Sequence, residues 1–299
     1  MKNIEIIGIQ RGKTFSPNHI GNDEAIFQLT MQALREEGCK VTILNEETFL
    51  SGADVTKSMG IVSMARNKDA VKKLQQLERD GVPVVNSGFG VENCFRTNMT
   101  SLLIQHQIPY PKSKIVSTDK VEDNLFDGFS ELGVWIKRGD FHAIHKEDVT
   151  FASSRQEGKE ILREYALREI PDAVLSEHLI GDLVKFYGVR DTDFFYWFYP
   201  YEHNHHKYEH YEQFNGNLVY NNFDEAYLRQ VALNAAEVLD VYVFGGDAIV
   251  DKAGNIHIID LNDWPSFAPC RDTAAPYIAQ LLLKKFEYKT DGIIAREKQ

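Results

Sequence analysis

The chain has 299 residues, 43 % of them hydrophobic, and a formal net charge of −11. That length and apolar content suit two domains or one large α/β unit with a sizeable core, and the acidic balance argues against general nucleic-acid binding, which needs a basic face. Cys39, Cys94 and Cys270 are too widely spaced for a disulfide framework or a zinc site, no run has the length of a membrane span, and the N-terminus reads as a strand without a signal peptide, so a cytoplasmic protein with no membrane partner is expected.

The first hundred residues alternate strand and helix. Ile4 to Ile9 reads as a buried strand, Asn22 to Glu37 as a helix ended by Gly38, Lys40 to Leu44 and Gly60 to Met64 as strands, Lys68 to Arg79 as a charged amphipathic helix, and Pro83 to Asn86 as a fourth strand. Such alternation implies a parallel sheet covered by helices, with ligands at the carboxyl ends of the strands. Gln10-Arg11-Gly12-Lys13 leaves the first strand there, either to meet an anionic substrate or as a solvated loop. A helix from Thr97 to Gln107 runs into Ile108-Pro109-Tyr110-Pro111, an extended linker.

Beyond the linker the composition changes. Strands are expected at Ser113–Val116, Val134–Lys137, Ala173–Glu177, Leu183–Val189 and Asp193–Tyr199, with helices from Gln156 to Arg168, Asp224 to Leu239 and Ala274 to Phe286. This part reads as antiparallel sheet with helices packed on it. Between the last two helices lies a hairpin. Val243 to Val250 and Ile256 to Leu261 are apolar, and Asp251-Lys-Ala-Gly254-Asn255 is turn chemistry. Asp260 and Asn262 are two residues apart and share a strand face, and an antiparallel partner brings Asp247 beside them. Three hard oxygen donors on one face suit Mg²⁺.

Other segments carry weaker signals. Lys137 ends a strand before Arg138-Gly139-Asp140-Phe141-His142, so it could reach phosphate oxygens or be a surface cation. Glu177-His178-Leu179-Ile180-Gly181-Asp182 leaves a strand through a glycine and could pair with a flat heterocycle, with the acid beyond on ribose hydroxyls. Tyr199 to Phe214 holds four histidines and four tyrosines and reads as a substrate-side loop, a solvated loop or, least well, a transition-metal site.

Set in order, these pieces resemble the ATP-grasp superfamily, of the glutathione-synthetase and ribosomal-protein-modifying glutamate-ligase kind. Asp247 with Asp260-Leu-Asn262-Asp-Trp-Pro265 is similar to its two-magnesium signature, Glu177 to Ile180 to its adenine hinge, and Lys137 to its phosphate lysine. The resemblance implies an N-terminal α/β domain over residues 1–96, a first lobe with the adenine hinge over 97–190, and a metal-binding lobe with antiparallel sheet over 191–299. It implies ATP held by Arg96, Lys137, Glu177, His178, Leu179, Ile180, Asp182 and Lys185. Two Mg²⁺ ions, with Mn²⁺ as the alternative, fall to Asp247, Asp260 and Asn262. Lys185, Arg271 and His142 are implied at the reacting groups, Arg271 on a substrate carboxylate or else in an ion pair with Asp272, and His142 as a phosphate contact.

The expected activity is ATP-dependent joining of a carboxylate to an amine through an acyl phosphate, on a small molecule or peptide. Relatives are often dimers or tetramers, which admits a homodimer. Two departures keep alternatives open. The loop after Lys137 has one glycine where the family is glycine-rich, and Asp260 stands where peptide-type ligases carry Glu. Asp there is also seen in inositol-phosphate kinases of the superfamily, so a small-molecule kinase is the second reading and a nucleotide-binding regulator the third.

Overall fold

A computed structural model of the chain describes residues 4–15, 20–143, 145–200 and 218–296. The His/Tyr-rich stretch falls on residues outside these from 201 onward. The first sheet is parallel, in the order β2-β1-β3-β4, with β1 Glu5–Gln10, β2 Lys40–Asn45, β3 Gly60–Ser63 and β4 Val84–Val85. Its helices are α1 Ile20–Glu36, α2 Glu46–Leu50, α3 Lys68–Arg79 and α4 Gly88–Asn93. Strand β1 is buried on both faces because α1 covers one and the α2–α3 side the other: Ile6 packs with Phe27 and Met31, while Ile7 and Ile9 pack with Phe49 and Leu74. Helix α3 begins and ends where its sequence predicts. The Asn67 side chain accepts from the amides of Asp69 and Ala70, and Val71 and Leu74 form its buried stripe. Helices α2 and α4 were not anticipated, the first because it is five residues long and the second because two glycines conceal it.

Helix α5, Arg96–Gln105, leads through the proline linker to the second sheet, β5-β8-β6-β7, which is antiparallel: β5 Ser113–Ser117, β6 Val134–Arg138, β7 Val149–Ala152 and β8 Asp172–Glu177. Helix α6, Arg155–Leu167, covers one face, and Ile136, Leu162, Tyr165 and Leu175 close a core of their own. Strand β7, unread in the sequence, is an edge strand paired with β6.

The third sheet, β10-β9-β11-β12, is also antiparallel: β9 Asp182–Val189, β10 Phe195–Phe198, β11 Val243–Val250 and β12 Ile256–Asp263. The sequence grouped the β9 segment with the preceding strands, but β9 hydrogen-bonds along its whole length to β11. Helix α7, Glu225–Val238, packs on this sheet with α5. The closing helix α8, Arg271–Arg296, starts earlier and runs further than predicted. It packs along α1, so a single apolar core joins Phe27 and Met31 to Val189, Val243, Phe267, Ile278 and Leu282.

Candidate active site

The second and third sheets face each other across a cleft of about 180 Å³ lined by Lys137 and Trp135 of β6, Ser176 and Glu177 of β8, Asp247 and Ile249 of β11, Ile259 and Asp260 of β12, and Arg96 of α5. The rest of the wall is Pro111, Val149 and Leu179. Alternation on β11 directs Asp247 and Ile249 to the same face. Asp247 lies opposite Asp260 in the ladder and opposite Lys185 of β9 on its other side, so three charged residues of three adjacent strands sit level. The register then slips between Asp247 and Ala248, whose partners are Asp260 and Ile258. Ile259 is the extra residue of this bulge, and its carbonyl accepts from Lys137 Nζ at 3.0 Å. Gly246 lets the strands approach here, since a Cβ on it would lie 2.3 Å from the Asp260 carbonyl oxygen.

The charges at the cleft are paired. Arg96 Nη1 donates to Asp260 Oδ1 at 2.8 Å, Asn262 Nδ2 donates to Asp260 Oδ2 at 3.1 Å, and Lys185 Nζ donates to Asp247 Oδ1. Burial opposes the charge on Asp260, but Arg96 and then Lys137 hold its carboxyl below the usual range. Burial, then the neighbouring Arg96, drives the Lys137 ammonium down to about 7, against partial support from Asp260 and Asp247. No group of three or more His, Cys, Asp or Glu that could hold a metal occurs among the described residues. The donor set at the hairpin is instead two carboxylates and an amide oxygen, all hard oxygens, with the Asn262 nitrogen turned to Asp260 so that its oxygen is left for a cation. That set fits Mg²⁺, completed by water and phosphate oxygens.

The hinge residues divide. Glu177 and Leu179 line the cleft, Ile180 is 59 % exposed, and His178 is buried with Nδ1 accepting from Trp135 Nε1 at 3.1 Å. Gly181 turns the chain into β9 where a Cβ would meet the Val250 carbonyl oxygen at 2.3 Å. Lys185 and Asn262 adjoin the lining through Asp247 and Asp260, whereas three expected residues bond elsewhere. Asp182, expected on ribose, is buried and accepts from the amides of Val219 and Asn221 at 2.8 and 2.6 Å, tying down the segment before α7. Arg271 does not line the cleft and donates through Nη2 to Asn22 Oδ1 at 2.8 Å, between α8 and α1.

His142 is the third, and it belongs to a junction that the sequence did not reveal. Its Nε2 lies 3.1 Å from Asp263 Oδ1, and burial together with Arg66 pushes the imidazole down to about 4, so it is neutral at neutral pH. Asp263 is fully buried at the end of β12. Arg66, following β3, donates to its Oδ1 at 3.0 Å and to its carbonyl oxygen at 3.0 Å. Arg11, following β1, reaches its Oδ2 at 3.5 Å, the Trp264 carbonyl at 3.0 Å, the Met64 carbonyl at 3.1 Å and Asp23 at 2.8 Å. Arg11 is thus neither a solvated cation nor free to take an anionic substrate. Beside it, fully buried Asn86 accepts from the Tyr242 and Val243 amides and donates to the Val243 carbonyl. The loop after Lys137 is anchored on the same side, Phe141 packing on Phe95 and Phe15 at ring distances of 4.8 and 5.7 Å. The sequence did hold two usable signals. Trp135 is two residues before Lys137 and so shares its strand face, and Asp263 follows Asn262 and so faces away from the metal set.

No protein-family model matches the sequence, and no curated protein matches it. Solved structures do match the fold. The chain is similar to D-alanyl-alanine synthetase A from Vibrio cholerae O1 biovar eltor, with 12 % identity and a TM-score of 0.68 over 96 % of this chain and 98 % of that one. It is similar to D-alanine–D-alanine ligase from Bacillus anthracis complexed with ATP, with 13 % identity and a TM-score of 0.64 over 99 % and 100 %. A RimK domain protein ATP-grasp from Sphaerobacter thermophilus gives 13 % identity and a TM-score of 0.65 over 93 % and 99 %. One parallel sheet, two antiparallel sheets enclosing a charged cleft, and these likenesses together identify the fold of this chain as the ATP-grasp fold.

Proposed function

We propose that the protein is an ATP-dependent carboxylate–amine ligase. The observation that carries the reading is the convergence of Lys137, Arg96, Asp247 and Asp260 at one end of a cleft whose other end is largely apolar. A nucleotide base fits the apolar end, between Trp135, Val149 and Pro111 on one side and Ile249 and Ile259 on the other. Its phosphates fit the charged end. The D-alanine–D-alanine ligase of like fold was solved with ATP, which supports that assignment.

Asp247, Asp260 and Asn262 would hold magnesium, which when bound screens the phosphate charge and draws electron density from the transferred group. Lys137 gives up the Ile259 carbonyl for a phosphate oxygen and gains a counter-charge for its buried ammonium. Arg96, already fixed on Asp260, keeps the carboxylate ionised and aimed. Lys185 aims Asp247 by its own hydrogen bond. With the phosphates neutralised, a substrate carboxylate oxygen attacks the γ-phosphorus, the bond to the β,γ-bridging oxygen breaks, ADP leaves, and the carboxylate becomes an acyl phosphate. An amine then displaces phosphate and leaves an amide bond. No side-chain nucleophile is required, and the work of the chain is positioning and charge balance.

The test is an incubation of the full chain with ATP, Mg²⁺ and pools of carboxylic acids and amines, following ADP and phosphate separately. Free phosphate that appears only when an acid and an amine are both present supports the ligase. ADP without free phosphate, formed with a polyol or its phosphate, would replace this reading by the hydroxyl kinase that Asp260 also suits.

A further inference from the structure

We propose that Trp135 and His178 act as one base-recognition unit, in which the indole walls the apolar end of the cleft and its N–H fixes the 177–180 hinge in the conformation that takes an adenine ring. The inference rests on the nucleotide reading of the cleft and goes beyond it to a side-chain hydrogen bond which that reading does not use.

Trp135 and Lys137 project from the same face of β6, so the indole sits one side-chain step from the phosphate-facing ammonium. It is opposite Phe151 of β7 and Ser176 of β8 in the ladders. The Phe151 ring lies 5.2 Å from both the indole and the His178 imidazole. Three rings thus meet at the point where β8 turns into the hinge. The hydrogen bond Trp135 Nε1 to His178 Nδ1, 3.1 Å, crosses from one strand to the hinge and is largely shielded, since His178 is 6 % exposed. Because Nδ1 accepts, the proton of the neutral ring sits on Nε2. A hinge that offers backbone groups to a ligand edge must be held still to offer them at low cost, and a buried side-chain tether does this.

The polarity of the slot gives the base. Glu177 lines it, and its carboxylate has no hydrogen-bond or ion-pair partner among the described residues. An ionised carboxylate only accepts. It suits the exocyclic amine of adenine and repels the carbonyl oxygen that guanine presents at the same position. A rigid hinge makes that difference count, because the ring cannot slide to another register. A hinge freed of its tether relaxes the discrimination together with the affinity.

The experiment is calorimetric titration of the full chain with ATP and with GTP in the presence of Mg²⁺, for the wild type, Trp135→Phe, His178→Phe and the double variant. Phenylalanine keeps an aromatic filling at each position and removes the donor or the acceptor, and melting curves confirm that each variant is folded. Each single change is expected to weaken ATP binding by about tenfold and to narrow the ATP-over-GTP preference. The double variant is expected to match the singles, since all three lack the same bond. Single variants that bind ATP as the wild type does, or losses that multiply in the double variant, overturn the unit and leave the nucleotide site standing. A wild type that binds neither nucleotide overturns the nucleotide reading, and this proposal with it.

Discussion

Lys137 is an ammonium held in a place that penalises its charge, and that penalty is a measurable property of the ligand-free protein. Its pKa of about 7 lies below the ordinary 10.5 because burial and Arg96 both disfavour the proton. Between those values the unfolded chain binds the proton and the folded chain does not, so stability rises with pH through the window, and below about 7 the full penalty is present. A triphosphate bound there, as proposed, would supply the missing anion and restore the proton. ATP binding at pH 8 is therefore expected to take up most of a proton at Lys137, and binding at pH 6 much less. Calorimetry in two buffers of different ionisation enthalpy reads this directly, and an uptake that is equal at both pH values, or that survives Lys137→Met, would refute it. Asp260 calls for a matched choice of variant. Alanine there strands Arg96, whose side chain is 6 % exposed, at a cost of about 3–5 kcal/mol. Asparagine keeps the shape and a hydrogen-bond acceptor, and is expected to lower turnover by at least about 100-fold while the protein stays folded. Turnover in Asp260→Asn within a few-fold of wild type would remove Asp260 from the mechanism.

At the scale of elements, the site is shaped by a bulge, and the junction behind it by an aspartate that sits inside the recognisable motif but faces the other way. The hairpin was legible because the run Val243 to Asp263 carries its own periodicity, its own turn residues and two acids out of place among aliphatics. The slip at Asp247 was not legible, since a bulge adds one residue without changing composition. Asp263 was hidden for another reason. Its partners Arg66 and His142 are far away in sequence, and a buried ion pair leaves no local pattern. The same holds for Arg271 and Asp182, where the residue types agreed with an active-site role but the strand ends and helix packing direct them elsewhere. Asp263→Ala leaves the buried Arg66 and Arg11 without their shared carboxylate and is expected to cost about 3–5 kcal/mol, seen as a large drop in denaturant midpoint at unchanged m-value. Asp263→Asn, which keeps the shape and one acceptor oxygen but no charge, is expected to fall between. A midpoint shift below about 1 kcal/mol for the alanine variant would mean that the junction contributes little.

At the scale of the whole molecule, the alternation of strands and helices predicted the parallel sheet, and the change of composition after Pro111 marked where antiparallel sheet begins. What neither shows is that the N-terminal sheet and the C-terminal sheet share one interior. Helix α8 is the cause: the last helix of the chain lies on the first, and Phe27, Met31 and Leu34 are buried against residues more than two hundred positions away, among them Trp264, Ile278 and Leu282. The second sheet, by contrast, buries its own apolar face under α6. A fold built this way has its separable unit in the middle of the chain. The N-terminal α/β segment is therefore expected not to fold by itself, because excision exposes half of a continuous core. Phe27→Ala tests this without cutting the chain. It removes a fully buried ring packed 6.4 Å from the Trp264 indole, at a cost of about 3–5 kcal/mol. If the two sheets melt as one unit, the variant lowers the thermal transition seen by Trp264 fluorescence and that seen by exchange protection of the β11 amides by the same amount. If the β11 amides keep their wild-type protection while the α1 amides lose theirs, the interior is divided and the two sheets fold apart.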